Sequence, residues 1–272
     1  MTKRKIGQGF PAWVALGLIL MLCVAIAAYQ ALYPSADGAV VLEDHGATVD
    51  ASNAGQGYIM VRHTPTQKRL KMRISKGDST YTYDLPADEQ YRTFVLPFGA
   101  GKYRVQVFKN ISGKRYSNEA SIAFRAEIDD DTLPFLYPNQ YVNYTAESVA
   151  VRKSEELCAQ ASTDAEKLES VRAYVVGAIR YDYDLAANVQ SGYLPDVDAV
   201  LAAGKGICFD YAALTACMLR AQGVPAKLEI GYADTIYHAW NSVLISGKWQ
   251  RVDTTAEAND MLVRKYTVER TY

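Results

Sequence analysis

Cys208 stands at a point where the sequence predicts the start of a helix. A glycine-rich stretch over residues 204–207 precedes it, residues 209–222 have helical apolar periodicity, and Gly223 and Pro225 end that pattern. The free N–H groups and the dipole of a helix N-terminus favour the thiolate, which is the reactive form of cysteine. The same N–H groups can stabilise an oxyanion. The position predicts a nucleophile, although a single cysteine of this kind is more often a buried structural residue.

His238 is the only histidine in the second half of the chain. It opens an alternating strand over residues 238–245, which a two-residue turn at Ser246 and Gly247 joins to a second strand that ends at Asp253. In that register Asp253 lies diagonally across the hairpin from His238, at roughly 7–8 Å between the backbones. Side chains can close that gap. A carboxylate there fixes the imidazole tautomer and stabilises its charged form.

Together, Cys208, His238 and Asp253 predict a triad of nucleophile, base and orienting acid. Each residue alone is more often structural, but their joint occurrence favours catalysis. Cys217 falls in the middle of the helix, where no dipole activates a thiol, and Cys158 lies in another helical pattern. Both are predicted to be core residues, and a disulfide between them is the open alternative.

The elements that would position the triad follow a strand-rich region. Short strands separated by turns predict a small β-sandwich domain over residues 37–128. An acidic run and two prolines predict a linker over residues 129–146. Helical patterns, including a capping box formed by Thr163 and Glu166, begin a C-terminal domain predicted over residues 147–272.

Residues 1–36 have the composition of a targeting segment. Lys3, Arg4 and Lys5 precede an apolar stretch centred on residues 12–29, which is long enough to cross a bilayer at the usual ~20 residues. We expect either a signal-anchor helix with the remainder exported or a cleaved signal peptide. The predicted location is the cell membrane with the catalytic domain extracellular, or secretion if the signal is cleaved.

Composition restricts the partners. The formal net charge of −1 lacks the basic excess that phosphate binding requires, so no nucleic-acid partner is expected. The sequence has no phosphate-binding glycine loop, no Gly-x-Ser-x-Gly elbow and no clustered Cys/His spacing for zinc. We therefore predict no cofactor and no metal.

Several segments of the C-terminal region resemble the transglutaminase-like superfamily. They are Gly-Lys-Gly-Ile-Cys-Phe-Asp-Tyr-Ala around Cys208, Gly-Val-Pro-Ala from Gly223, His-Ala-Trp-Asn from His238, and Gly-Lys-Trp-Gln-Arg-Val-Asp-Thr-Thr around Asp253. The resemblance covers about residues 147–260. It implies an α+β, papain-like core in which helices pack on an antiparallel sheet. Here the β-sandwich and the N-terminal hydrophobic helix would precede that core.

The resemblance also implies thioester chemistry on a peptide or protein substrate, in which water as acceptor gives hydrolysis and an amine gives transamidation. We favour hydrolysis of peptide or amide bonds at the cell envelope by a cysteine protease or amidase, because the small core shows no extra apparatus for an amine acceptor. A transamidase that cross-links glutamine side chains and a catalytically inactive binding module are the alternatives. Tyr181, upstream of the cysteine, is the candidate side-chain donor to the oxyanion.

Overall fold

A computed structural model describes residues 33–272 as a mixed fold of helices and mainly antiparallel sheets. The targeting segment predicted over residues 1–36 lies outside the described residues, apart from its last four positions. Across residues 33–272, no helix combines the length and the apolar character needed to cross a membrane. The hydrophobic N-terminal helix and the membrane attachment therefore stay predictions.

Two four-stranded antiparallel sheets make up the N-terminal half of the described chain, in agreement with its strand-rich pattern. Their strands are β1 (Val41–Asp44), β2 (Ala47–Asp50), β3 (Tyr58–His63), β4 (Leu70–Lys76), β5 (Ser79–Leu85), β6 (Arg92–Val95), β7 (Gly101–Ser112) and β8 (Arg115–Ala126). One sheet has the order β1-β2-β3-β6 and the other β5-β4-β7-β8. Successive side chains of a strand point to opposite faces of the sheet, so the second sheet buries one face. In β4, Leu70, Met72 and Ile74 are buried and the residues between them are not.

Residues 129–146, where the sequence predicts a linker, combine exposed acidic residues with buried aromatic and aliphatic side chains. The acidic residues 129–131 are exposed, but a 3-10 helix (Leu133–Leu136) follows them. Four large side chains of the segment are buried: Phe135, Tyr137, Val142 and Tyr144. The segment packs on the folded core because burial of these apolar surfaces is favourable. The division into domains over residues 37–128 and 147–272 stays a prediction.

Helices form the first part of the C-terminal half. They are α1 (Val149–Cys158), α2 (Asp164–Ala178), α3 (Tyr183–Asn188), α4 (Val197–Ala203), α5 (Cys208–Ala221) and α6 (Thr254–Ala258). The capping box predicted for α2 is confirmed. The Thr163 hydroxyl accepts a hydrogen bond from the Glu166 N–H at 3.2 Å, and the Glu166 carboxylate accepts one from the Thr163 N–H at 3.0 Å. Gly204 ends α4 with a φ of 60°, a left-handed conformation that glycine adopts without strain.

A four-stranded antiparallel sheet lies beside these helices. Its strands are β11 (Ala226–Ala233), β12 (Ile236–Ile245), β13 (Lys248–Val252) and β14 (Tyr266–Thr271), in the order β13-β12-β11-β14. Helix α5 packs on the sheet, and the side-chain amide of Asn241 donates to the Ala212 carbonyl at 3.0 Å. Before α5, the short strands β9 (Arg180–Tyr181) and β10 (Lys205–Gly206) pair in parallel and lead the chain into Cys208. These elements form the predicted arrangement of helices on an antiparallel sheet.

Candidate active site

Cys208 is the first residue of α5, as the sequence predicted, and its thiol is free and half-buried. The Asp210 carboxylate accepts a hydrogen bond from the Ile207 N–H at 2.8 Å, which fixes the turn that enters the helix. The first N–H groups of a helix have no acceptor within the helix. The N–H of Cys208 belongs to this set, so the backbone beside the thiol can donate to a bound oxyanion.

The β12–β13 hairpin has the register that the sequence predicted. Ile245 pairs with Lys248 and Asn241 pairs with Val252, so a two-residue turn separates the strands. Both turn residues have positive φ angles, which suits the turns that match the twist of a hairpin. The register places position 253 across from position 240 and therefore diagonal to His238.

His238 and Asp253 meet in the protein interior. The Asp253 Oδ2 lies 2.8 Å from the His238 Nε2, and both side chains are buried. The other carboxylate oxygen of Asp253 accepts a hydrogen bond from the Ala256 N–H at 2.9 Å, because Asp253 is also the N-cap of α6. The helix start therefore fixes the orientation of the carboxylate that contacts the imidazole.

The charges of this pair support each other. Burial lowers the pKa of His238, but hydrogen bonds to Asp253 and Cys208 and the charges of both groups outweigh burial and raise that pKa to about 9. Burial raises the pKa of Asp253. The hydrogen bond and charge of His238, together with hydrogen bonds from the Ala256 N–H and Tyr266, outweigh burial and lower that pKa below its usual value. The pair therefore favours an imidazolium against a carboxylate near neutral pH. Because Asp253 contacts Nε2, the ring nitrogen Nδ1 is the one left for the thiol.

Tyr266 is a neighbour of the pair that the sequence did not single out. Its hydroxyl donates to the Asp253 Oδ2 at 2.8 Å, on the same oxygen that contacts His238. Its ring packs edge-on against Trp240 at 4.9 Å between centroids, and the Arg251 guanidinium lies 4.1 Å from the ring centroid. Burial and the bond to Asp253 raise the pKa of Tyr266, so the phenol stays protonated as a donor. Tyr266 thereby holds the carboxylate in place from β14.

We expect Tyr266→Phe to lower kcat/KM about tenfold, because it removes a hydrogen bond to a charged group worth about 1.5 kcal/mol while the ring contacts remain. Steady-state kinetics on the variant check this. Tyr116→Phe, at the β7–β8 hairpin, is the matched control and should keep the wild-type rate. An unchanged rate in Tyr266→Phe would mean that Ala256 and His238 hold Asp253 without help from the phenol.

The other two cysteines of the described chain are core residues. Cys158 and Cys217 are buried free thiols, so the alternative of a disulfide between them is not realised in this structure. Burial raises the pKa of both thiols, that of Cys217 well above its usual value, and this disfavours the reactive thiolate. Cys208 is thus distinguished from both by exposure and by its position in the fold.

Tyr181 and a neighbouring loop border the approach to Cys208. Tyr181 lies in β9 and pairs with Gly206, two residues before the cysteine. Burial raises its pKa and the charge of Cys208 adds to the shift, which is consistent with proximity of phenol and thiol. On the loop over residues 189–196, the Tyr193 hydroxyl donates to the Asp210 carboxylate at 2.7 Å and so ties the loop to the start of α5. The role of Tyr181 as an oxyanion donor stays a prediction.

Within residues 33–272, no group of three or more His, Cys, Asp and Glu side chains is arranged to hold a metal ion. Residues 152–254 match the family model of the transglutaminase-like superfamily. They form a transglutaminase-like domain. Its fold is related to those of cysteine proteases and transglutaminases. The matched range includes the three residues of the predicted triad, the last of them one position before its end.

Kyphoscoliosis peptidases are among the relatives of this transglutaminase-like domain. The human protein is 28% identical over 137 residues, which cover 45% of this chain and 21% of that protein. The mouse protein is 28% identical over 112 residues, which cover 37% of this chain and 17% of that protein. The matched region therefore spans about a fifth of the relatives' length.

Two solved structures align with parts of this chain at low identity. The periplasmic domain of TgpA from Pseudomonas aeruginosa aligns with a TM-score of 0.41 at 15% identity, covering 80% of this chain and 95% of that chain. Red sea bream transglutaminase aligns with a TM-score of 0.32 at 13% identity, covering 73% of this chain and 48% of that chain.

Proposed function

We propose that the protein is an exported, thiol-dependent acyl-transfer enzyme that hydrolyses peptide or amide bonds at the cell envelope. Cys208 acts as the nucleophile, His238 as the general acid and base, and Asp253 as the orienting acid. The supporting observation is the buried 2.8 Å contact between His238 and Asp253 beside a half-buried thiol at a helix start. A polarised imidazole and a helix N-terminus each favour the reactive thiolate. Peptide or protein substrates agree with the family, which includes a protein named as a peptidase.

Acylation begins with attack of the Cys208 thiolate on the substrate carbonyl carbon. The new S–C bond places negative charge on the carbonyl oxygen. In this proposal the N–H of Cys208 and the Tyr181 hydroxyl stabilise that charge. The His238 imidazolium then gives its proton to the leaving nitrogen. The C–N bond breaks, the amine departs, and a thioester remains on Cys208.

Deacylation runs through the same residues with water as the acceptor. The now neutral His238 takes a proton from water, whose oxygen attacks the thioester carbon. The S–C bond breaks, the acid product leaves, and the thiolate–imidazolium pair is restored. Asp253 keeps the imidazole in one orientation through both half-reactions and stabilises its charged form in each.

Export rests on the composition of the N-terminal segment. The basic residues Lys3, Arg4 and Lys5 before the apolar stretch 12–29 fit a signal-anchor that leaves the following domain outside the membrane. A cleaved signal peptide would lead to secretion of the same domain. Mass spectrometry of the mature N-terminus from cell fractions separates these two outcomes, and a full-length cytoplasmic product would contradict export.

Selective alkylation of Cys208 tests the nucleophile. Chloroacetamide applied to the full chain should modify Cys208 at least tenfold faster than the buried Cys158 and Cys217, because reactivity follows thiolate character and access. Peptide mass mapping gives the rate at each site. The Cys208→Ala variant should lose the fast phase, and Cys217→Ala, the matched control, should retain it. Equal rates at the three cysteines would overturn the enzymatic proposal and favour a binding module.

The acceptor is tested separately, with glutaminyl peptides in the presence and absence of a labelled primary amine. If the enzyme hydrolyses its substrate, the products are a carboxylic acid and, from a glutamine side chain, ammonia. The labelled amine should not change the amount of these products. Incorporation of the labelled amine in preference to hydrolysis would establish the transamidase alternative instead. Cys208→Ala serves as the blank in both reactions.

A further inference from the structure

Four tyrosines near Cys208 and His238 in the fold form two edge-to-face pairs, here called the tyrosine rim. Tyr181 and Tyr183 lie at β9 and the start of α3, with 5.0 Å between ring centroids and 64° between planes. Tyr232 and Tyr237 face each other across β11 and β12, with 5.6 Å and 68°. The outer members are strongly exposed: Tyr183 is 72% accessible and Tyr237 is 57% accessible. Exposed aromatic clusters of this kind on a folded chain commonly mark binding sites.

Chain connectivity puts both pairs next to the proposed catalytic residues. Tyr181 pairs with Gly206, two residues before Cys208, so the first pair lies on the β10 side of the thiol. Tyr237 immediately precedes His238 in β12, so the second pair lies next to His238 along that strand. Burial raises the pKa of both Tyr181 and Tyr237, and the charge of Cys208 contributes to each shift. When the carbonyl of a substrate reaches the Cys208 thiol, we expect the substrate side chains on either side of that carbonyl to meet the two tyrosine pairs.

The chemistry of the rim favours uncharged apolar groups. Lys205, beside Tyr181 on the adjacent strand, forms an ion pair with Asp182 at 2.8 Å, so its charge is already balanced. The perpendicular rings of each pair present an edge and a face together, which suits a branched or aromatic side chain. A flat sugar ring would instead stack on a free ring face.

We propose that the tyrosine rim is a substrate subsite that selects an extended peptide with apolar or aromatic side chains next to the amide that reacts at Cys208. This inference rests on the proposed function, since it names the substrate class of the same site. Tyr183 and Tyr237 are the specificity-determining residues, and they act by contact with the side chains that flank the reacting carbonyl.

Two chloromethyl ketone probes on the full chain test the rim without requiring turnover. The Cys208 thiolate displaces chloride from the chloromethyl carbon, so that an S–C bond forms and the C–Cl bond breaks. One probe carries Leu-Phe and the other Ser-Ser, and each rate at Cys208 is divided by the chloroacetamide rate at the same residue. We expect a normalised rate at least about tenfold higher for Leu-Phe, the discrimination that one apolar pocket can supply.

Variants assign that preference to the rim. Tyr183→Ser and Tyr237→Ser should each reduce the Leu-Phe to Ser-Ser ratio severalfold, and Tyr116→Ser in β8 should leave it unchanged. Equal normalised rates in the wild-type chain, or a ratio that neither rim variant changes, would overturn the proposal. Protection of Cys208 by a soluble chitooligosaccharide but not by a Leu-Phe amide would overturn it in favour of a glycan surface. Failure of the enzymatic proposal gives a different result, namely chloroacetamide labelling that does not favour Cys208.

Discussion

Replacing Asp253 by Asn is expected to reduce kcat by about 1,000-fold or more, the scale seen when an orienting acid is removed from a catalytic triad. The amide keeps the shape of the side chain and can still cap α6, since Asn is as good an N-cap as Asp. The fold should therefore survive while the charge beside His238 is lost. Steady-state kinetics, with circular dichroism to confirm folding, measure the effect.

The same variant should change the pH dependence of the reaction. In the proposed mechanism the imidazolium of His238, whose pKa is about 9, is the acid. We therefore expect kcat/KM of the wild-type chain to fall as the pH rises through about 9. Asp253→Asn removes the charge that raises this pKa and leaves the burial that lowers it. The alkaline limb of the profile should therefore move to lower pH.

The raised pKa of His238 also makes the free energy of unfolding depend on pH. In the folded chain the pKa of His238 lies above 6.5, the ordinary value of a histidine in an unfolded chain. The contribution of the protonated His238 to stability is therefore complete below pH 6.5 and is lost as the pH rises towards 9. Urea unfolding at pH 6 and pH 9 should show a larger loss for the wild type than for Asp253→Asn. Asp260→Asn, at an exposed position after α6, is the control for both experiments. A wild-type kcat in Asp253→Asn would remove Asp253 from the proposed mechanism.

The helix start and the hairpin were predictable because short-range rules govern both. Gly223 and Pro225 limit α5 at one end, and its apolar periodicity extends back to Cys208. Ser246 and Gly247 both adopt positive φ angles, and such a two-residue turn fixes the register of every pair above it. The contact between His238 and Asp253 follows from that register, so fourteen intervening residues with one turn type sufficed to predict it.

Tyr266 and residues 129–146, here called the connecting segment, have contacts that local sequence patterns do not predict. Tyr266 reaches Asp253 because β14 pairs with β11 rather than with its neighbours in sequence, and no local pattern encodes that choice. The prolines and the acidic run of residues 129–146 predicted a linker. They did not predict burial, which depends on partners elsewhere in the chain. The aromatic residues Phe135, Tyr137 and Tyr144 were the signal in the sequence that the segment packs.

Arg220 links helix α5 to three other parts of the chain through hydrogen bonds. It lies fully buried near the end of α5 and donates to three backbone carbonyls, at 2.8 Å to Ala226, 2.7 Å to Tyr137 and 2.8 Å to Tyr272. Burial lowers its pKa to about 10, so the guanidinium remains charged at neutral pH. Its planar set of donors can reach acceptors in different directions at once. Through them α5 is tied to the connecting segment, to the start of β11 and to the residue after β14.

We expect Arg220→Met to lower the free energy of unfolding by about 3–5 kcal/mol, because it leaves three buried carbonyls without donors at roughly 1–3 kcal/mol each, partly offset by relaxation and by removal of a buried charge. Urea unfolding followed by fluorescence measures the difference. Arg125→Met, whose side chain is 68% exposed in the wild type, is the matched control and should change stability by less than about 0.5 kcal/mol.

Arg220→Lys separates the role of the charge from that of the geometry. An ammonium retains the charge but lacks the planar fork, so it should satisfy fewer of the three carbonyls and give an intermediate stability. This variant also keeps the prediction testable if Arg220→Met does not fold. If both variants unfold like the wild type, water replaces the guanidinium at these carbonyls. The connecting segment would then be held by the buried Phe135, Tyr137, Val142 and Tyr144 alone, and its packing rather than its hydrogen bonds would fix the sheet that carries His238.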